Sequence, residues 1–225
     1  MSVVVGSDFL SVDEAAYALG VSTRHVRRLA DSGEVAKVAR GLVDRVSVDR
    51  YLASHGGGRT RVWAEHTAWG ALAMLAGREA PWLGATQASR LSYSLRHITE
   101  ADDLLSRLRD RAVVRVFAAH RSALARVRKV VVHSSLSALG VVDAVDDRVD
   151  GYLPATELDV VVRDLGLRPD LRGVVTLRIT GFDFDRVRGL VGTSVVAAVD
   201  AATSTDPRLR GIGRHSLTAS LEAFR

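Results

Sequence analysis

The sequence predicts an α+β protein in two parts: a small N-terminal helix-turn-helix module with a β-hairpin, then a larger mixed α+β domain whose first part is helical. Three observations carry that reading. A helical apolar pattern opens at Ser11 with a capping signal and is interrupted by Gly20-Val21-Ser22. The triplet Gly56-Gly57-Gly58 then divides the chain into a domain over 1–55, a flexible linker over 56–61 and a second domain over 62–225. Beyond it the pattern is helical to about residue 110 and then mixes strand-like runs with helices.

In the module, Ser11 and Glu14 have the spacing of a capping box, and Val12, Ala15, Ala16 and Leu19 share one helical face. Gly20 supplies the left-handed residue that ends this helix, and Ser22 caps a second one from Thr23. Val26, Leu29 and Ala30 form the inward stripe of that helix, which leaves Arg24, His25, Arg27 and Arg28 on its remaining surface. After Asp31-Ser32-Gly33, Val35 to Val38 and Val43 to Val46 read as hairpin strands turning at Arg40-Gly41. Ser47 then caps a third helix, Val48 to Ser54.

In the larger part, Val62 to Ala76 reads as an apolar-rich helix closed by Gly77, followed by helices over Gln87 to Ile98 and Glu100 to Asp110. Val113 to Phe117 reads as a strand and His120 to Val127 as a short helix. Val130 to Val132 leads into another helix whose face includes Leu136, Ala138 and Leu139. Pro154 suits the first turn of a helix reaching Leu165. Val174 to Ile179 is the clearest strand, and Pro207 to Phe224 a final helix with a break expected near Gly211-Ile212-Gly213.

Composition narrows the function. With 225 residues, 47% hydrophobic and 25% charged, the chain suits two modest globular domains. No apolar run reaches the length of a membrane span, and MSVVVGSDFL lacks the features of a signal peptide, so a cytoplasmic protein without membrane contact is expected. The absence of cysteine excludes disulfides, thiolate nucleophiles and zinc fingers, and no cofactor is expected. The net charge is +5, but residues 1–58 carry 7 Lys/Arg against 7 Asp/Glu, while residues 59–130 carry 13 against 6. Of the 31 basic residues 29 are Arg, a bias that weakens the argument from any single arginine.

Glu14-Ala15-Ala16, Leu19-Gly20-Val21-Ser22, Val26-Arg27-Arg28-Leu29, Gly33, Arg40-Gly41 and Arg45-Val46 together resemble the winged helix-turn-helix of the MerR/excisionase superfamily. The resemblance implies binding to double-stranded DNA, with the second helix in the major groove and the hairpin along the backbone. By position it implies contacts from Thr23, Arg24, His25, Arg27 and Arg28 on the helix and from Lys37 and Arg40 on the wing. One such module reads only a few base pairs, so a homodimer is expected.

The whole chain resembles the AbiE-type antitoxins that accompany nucleotidyltransferase toxins. The carrying positions are Ser135, Ala138 and Leu139, Tyr152 and Leu158, Gly166-Leu167-Arg168, Val175, Leu177 and Arg178, and Asp206-Pro207-Arg208. That implies a transcription regulator that represses its own operon and neutralises a toxin. Two alternatives stay open: a nucleotidyl- or phosphotransferase using Asp183 and Asp185, and an excisionase-like recombination factor. Asp143, Asp146, Asp147 and Asp150 read as a solvated loop, and His120 and His133 as structural or surface histidines. The basic run from Arg107 through Arg109, Arg111, Arg115, Arg121, Arg126 and Arg128 to Lys129 offers a second surface for nucleic acid or an acidic partner.

Overall fold

The computed structural model describes residues 8–55, 61–141 and 147–225. The chain is mixed α+β and divides into two compact units, Met1–Gly56 and Gly57–Arg225. The predicted linker lies outside the described residues apart from Arg61.

The first unit runs β1 (Phe9–Ser11), α1 (Val12–Leu19), α2 (Thr23–Asp31), β2 (Lys37–Ala39), β3 (Leu42–Asp44) and α3 (Arg45–His55). The capping box forms as the sequence requires: the Glu14 backbone N–H donates to Ser11 Oγ at 3.1 Å, and the Ser11 N–H donates to Glu14 Oε2 at 2.8 Å. Gly20 ends α1 at φ 64°, in the region where a side chain is penalised. The Ser22 hydroxyl caps α2. Three antiparallel strands in the order β1-β3-β2 close the unit over Ala15, Val26, Leu29, Val35, Val43 and Val48.

Two details differ from the sequence reading. The hairpin strands are shorter and shifted, and Val46 lies in a helix, because Asp44 rather than Ser47 caps α3, which starts at Arg45. The Ser47 N–H donates to Asp44 Oδ2 at 2.9 Å, and the Ser47 hydroxyl is held between the Asp44 carbonyl and the Ala36 N–H. A buried carboxylate thus starts the helix three residues early. β1 was not read because a three-residue strand has too short a pattern.

The second unit begins with α4 (Glu65–Leu75), α5 (Ala85–His97) and α6 (Ala101–Leu108). It continues with β4 (Val113–Ala118), α7 (Arg121–Val130), β5 (Val149–Pro154), α8 (Leu158–Asp164), β6 (Arg168–Pro169) and β7 (Val175–Thr180). It ends with α9 (Phe184–Val191), α10 (Ser194–Ala202) and α11 (Pro207–Phe224). The sheet order is β5-β7-β4-β6, with β5 and β7 parallel and the other pairs antiparallel. Strand alternation splits its residues between two cores. Phe117, Leu153, Val175, Leu177 and Ile179 pack with α7 and α8, while Tyr152 belongs with the helical core of α4, α6, α10 and α11.

Several expectations fail here for local reasons. Pro154 is the last residue of β5, paired with Thr180, and α8 starts only at Leu158 after a 3-10 turn. Val130 closes α7, Val132 makes a single bridge to Tyr152, and Leu136–Leu139 is a 3-10 turn rather than a helix. α11 runs unbroken through Gly211 and Gly213, and a Cβ on Gly213 would fall 2.3 Å from the Ala202 nitrogen. That glycine is there for the close approach of α10, not for a break.

A buried polar cluster joins the sheet to the helices. Asp200 in α10 accepts hydrogen bonds at Oδ1 from Arg111 (2.8 Å) and the Tyr152 hydroxyl (2.8 Å), with Arg178 Nη1 at 3.3 Å. Arg178 also grips Asp150 in β5 through Nε and Nη2, at 2.7 and 2.9 Å. Burial pushes the Asp200 carboxyl up, but Arg178 and Arg111 outweigh it and hold it below its ordinary value. Burial likewise pushes the Tyr152 phenol up.

Candidate nucleic-acid interface

The predicted contacts divide into two groups on the first unit. Arg27 faces the hairpin and, with Lys37 and Arg40, lines a groove of about 230 Å³ whose walls are α2 and the β2–β3 turn. Gly41, at φ 80°, makes that turn possible. Val12 and Val43 form apolar wall, and Asp31 is the single acidic lining residue. Arg24 and Arg28, exposed and one helical turn apart on α2, are not among the residues lining that groove. Thr23 and His25 are half-buried at its start. His25 Nδ1 accepts from Arg28 Nη2 at 2.9 Å, which fixes that guanidinium along the helix and requires the lone pair on Nδ1.

The acids of this unit are partly committed elsewhere. Glu14 is held by Ser11, whose backbone N–H and hydroxyl keep its carboxyl below the ordinary value. Asp44 is buried at the start of α3. Asp31 was missed as a groove residue although it stands four residues after Arg27 on the same helix, which is the available signal.

The basic run of the second unit is not one surface. Arg111 is 4% exposed and belongs to the Asp200 cluster, which removes it from any interface. Arg107 pairs with Asp103 at 3.2 Å and Arg109 with Asp110 at 3.8 Å. Arg115, Arg121, Arg126 and Lys129 are exposed, and Arg128 donates to the Arg148 carbonyl at 3.1 Å.

The other candidates resolve into structural roles. The Asp183 carboxylate caps α9, accepting from the Arg186 N–H and pairing with Arg186 Nε at 2.8 Å; Asp185 stands in the first turn of the same helix. The Arg186 backbone N–H is the main cause holding the Asp183 carboxyl below its ordinary value. Among the described residues, no three His, Asp or Glu side chains gather as a metal site. His120 caps α7, and both nitrogens of His133 face backbone carbonyls, of Asp150 and Arg128. Asp150 is not a loop residue but a strand residue chelating Arg178; Asp143 and Asp146 lie outside the described residues. Among the described residues no helix is long and apolar enough to cross a membrane.

No protein-family model, curated protein or solved structure matches the chain. Tyr152 and Arg178 meet in the Asp200 cluster, while Asp206 caps α11 with Pro207 in its first turn.

Proposed function

We propose that the chain is a sequence-specific DNA-binding transcription regulator whose first unit is a winged helix-turn-helix. The observation that carries this reading is the convergence of Arg27 from α2 with Lys37 and Arg40 from the hairpin on one groove. Residues separate in sequence bring three cations to one concave surface, as phosphate contact requires. Arg24 and Arg28, both exposed on α2, would read base edges if that helix enters the major groove, Arg28 by exchanging its bond to His25 for one to a base. The second unit pairs two copies, because one module spans too few base pairs for selectivity. In this reading the chain is an antitoxin that represses its own operon and neutralises a nucleotidyltransferase toxin.

The test is a mobility shift on the DNA upstream of the gene, at several salt concentrations. The wild-type chain is expected to retard that fragment more strongly than unrelated DNA. Replacing Arg27, Lys37 and Arg40 by Ala should lower the slope of log Kd against log salt by up to about three, at about 0.9 per lost phosphate contact. Replacing Arg24 and Arg28 should instead erode the preference for the upstream fragment. No retardation at low salt would sink the proposal.

A further inference from the structure

The second unit carries a feature that the DNA reading leaves unused, an open cleft of about 440 Å³ between the start of α4 and the side of α5. That volume lies within the range of small-ligand sites. Its base is apolar, formed by Leu91, which is 3% exposed, and by the half-buried Trp63. Trp63 is tied to α6 through its backbone and carries a guanidinium beside its ring. The Trp63 backbone N–H donates to the Arg107 carbonyl at 2.9 Å, and the Arg107 guanidinium, itself neutralised by Asp103, sits 5.6 Å from the ring centroid.

One wall of the cleft is a row of polar side chains. Thr86, Arg90 and Ser94 recur every fourth residue along α5, and among the described residues none of the three side chains has a hydrogen-bond or ionic partner. α5 contains no Asp or Glu, so nothing on that helix opposes an anion. Gln87, next to Thr86 on the same helix, has its amide nitrogen committed to Thr67 Oγ1 at 2.9 Å and to His66 Nε2 at 3.0 Å across the cleft. Its carbonyl oxygen is left as an acceptor. Glu65, the acidic residue at the start of α4, is engaged by the Thr180 hydroxyl and the Gly181 N–H.

We propose that this cleft binds a small planar aromatic anion, with the ring stacked on Trp63 and the anionic group held by Arg90 between the Thr86 and Ser94 hydroxyls. The lining selects for both halves of that ligand. An inorganic anion leaves the Trp63 and Leu91 surface unused, a neutral ring leaves Arg90 unused, and a metal cation meets Arg90 as a like charge. Nucleoside monophosphates and aromatic carboxylic acids share this chemistry. The inference holds whether or not the chain binds DNA, since it concerns the second unit alone.

Calorimetric titration of the full chain with AMP, salicylate, adenosine and sodium phosphate tests it, with tryptophan fluorescence as a second readout. AMP or salicylate is expected to bind saturably with Kd below about 1 mM, roughly tenfold or more tighter than adenosine or phosphate. AMP ahead of salicylate identifies the nucleotide as the source of the chemistry, and the reverse order identifies an aromatic acid. Arg90→Ala, at an exposed position, should weaken binding roughly tenfold without shifting the melting temperature. Trp63→Leu should weaken it further and remove the fluorescence change. Absence of binding by both anions at about 10 mM, equal affinity for adenosine or phosphate, or an unchanged Kd in Arg90→Ala would each overturn the proposal.

Discussion

Replacing Asp200 by Ala should destabilise the second unit more than almost any other single change, because it strips the counter-charge from a buried arginine. Asp200 Oδ1 receives Arg111 at 2.8 Å and the Tyr152 hydroxyl at 2.8 Å, with Arg178 at 3.3 Å. Without it Arg178 keeps its two bonds to Asp150, whose carboxylate is half-exposed, but Arg111 keeps only Tyr152 and a 3.5 Å contact with the Leu108 carbonyl. Removing one partner of such a buried pair costs about 3–5 kcal/mol. A unit of about 170 residues unfolds with an entropy of about 0.36 kcal/mol/K, so its melting temperature should fall by about 8–14 °C. Tyr152→Phe deletes the hydroxyl and keeps the ring, at about 1–2 kcal/mol or about 3–6 °C. Tryptophan fluorescence follows this unit selectively, since Trp63, Trp69 and Trp82 all lie in it and Trp69 meets the Tyr152 ring edge-on at 5.5 Å. A melting temperature for Asp200→Ala within about 2 °C of wild type, or a larger loss from Tyr152→Phe, would refute the assignment of Asp200 as the neutralising group.

Acid should expose the same cluster. The folded Asp200 carboxyl lies below its ordinary value of 3.8, so its contribution is complete above that value and is lost as pH falls further. The melting-temperature gap between wild type and Asp200→Asn should therefore narrow below about pH 4. The two glycines of α11 should respond with opposite signs in thermal melts. Gly213→Ala places a methyl 2.3 Å from the Ala202 nitrogen and 2.5 Å from the Ala198 carbonyl oxygen, forcing α10 and α11 apart at a cost of about 3 kcal/mol. Gly211→Ala meets nothing within 4 Å on an exposed helical turn and should stabilise by roughly 0.5–1 kcal/mol.

What was legible in the sequence follows the range of the interactions. The caps at Ser11 and Ser22 and the left-handed turn at Gly20 are set within four residues, and they stand where the pattern placed them. β5 was missed because Asp150 and Gly151 interrupt its apolar alternation for reasons lying elsewhere. Asp150 meets Arg178, and a Cβ at Gly151 would press 2.6 Å from Val131 Cγ2. α9 and α10 were not read either. α10 is buried on every side except at Ser194, so it has no polar stripe to reveal a helical period. The candidate groove was half legible: its cations were named from the helix and turn, while the cleft at Trp63 depends on α5 lying beside α4.

Equal numbers of acidic and basic residues in the first 58 positions argue for weak attraction to DNA, but the fold separates them. Glu14 is bound into the cap of α1 and Asp44 is buried beneath α3, whereas Arg27, Lys37 and Arg40 share the groove. Asp31 is the acid that remains in the groove lining, where under the proposed DNA reading it would oppose a phosphate. Asp31→Asn should therefore tighten DNA binding by roughly threefold to tenfold at low ionic strength, with the gain shrinking as salt screens the charge. Asp49→Asn makes the same change in net charge at an exposed site on α3 outside the groove lining. The contrast between the two variants separates local from total charge. If Asp49→Asn tightens binding as much as Asp31→Asn, attraction depends on net charge alone and the groove loses its claim to be the contact surface.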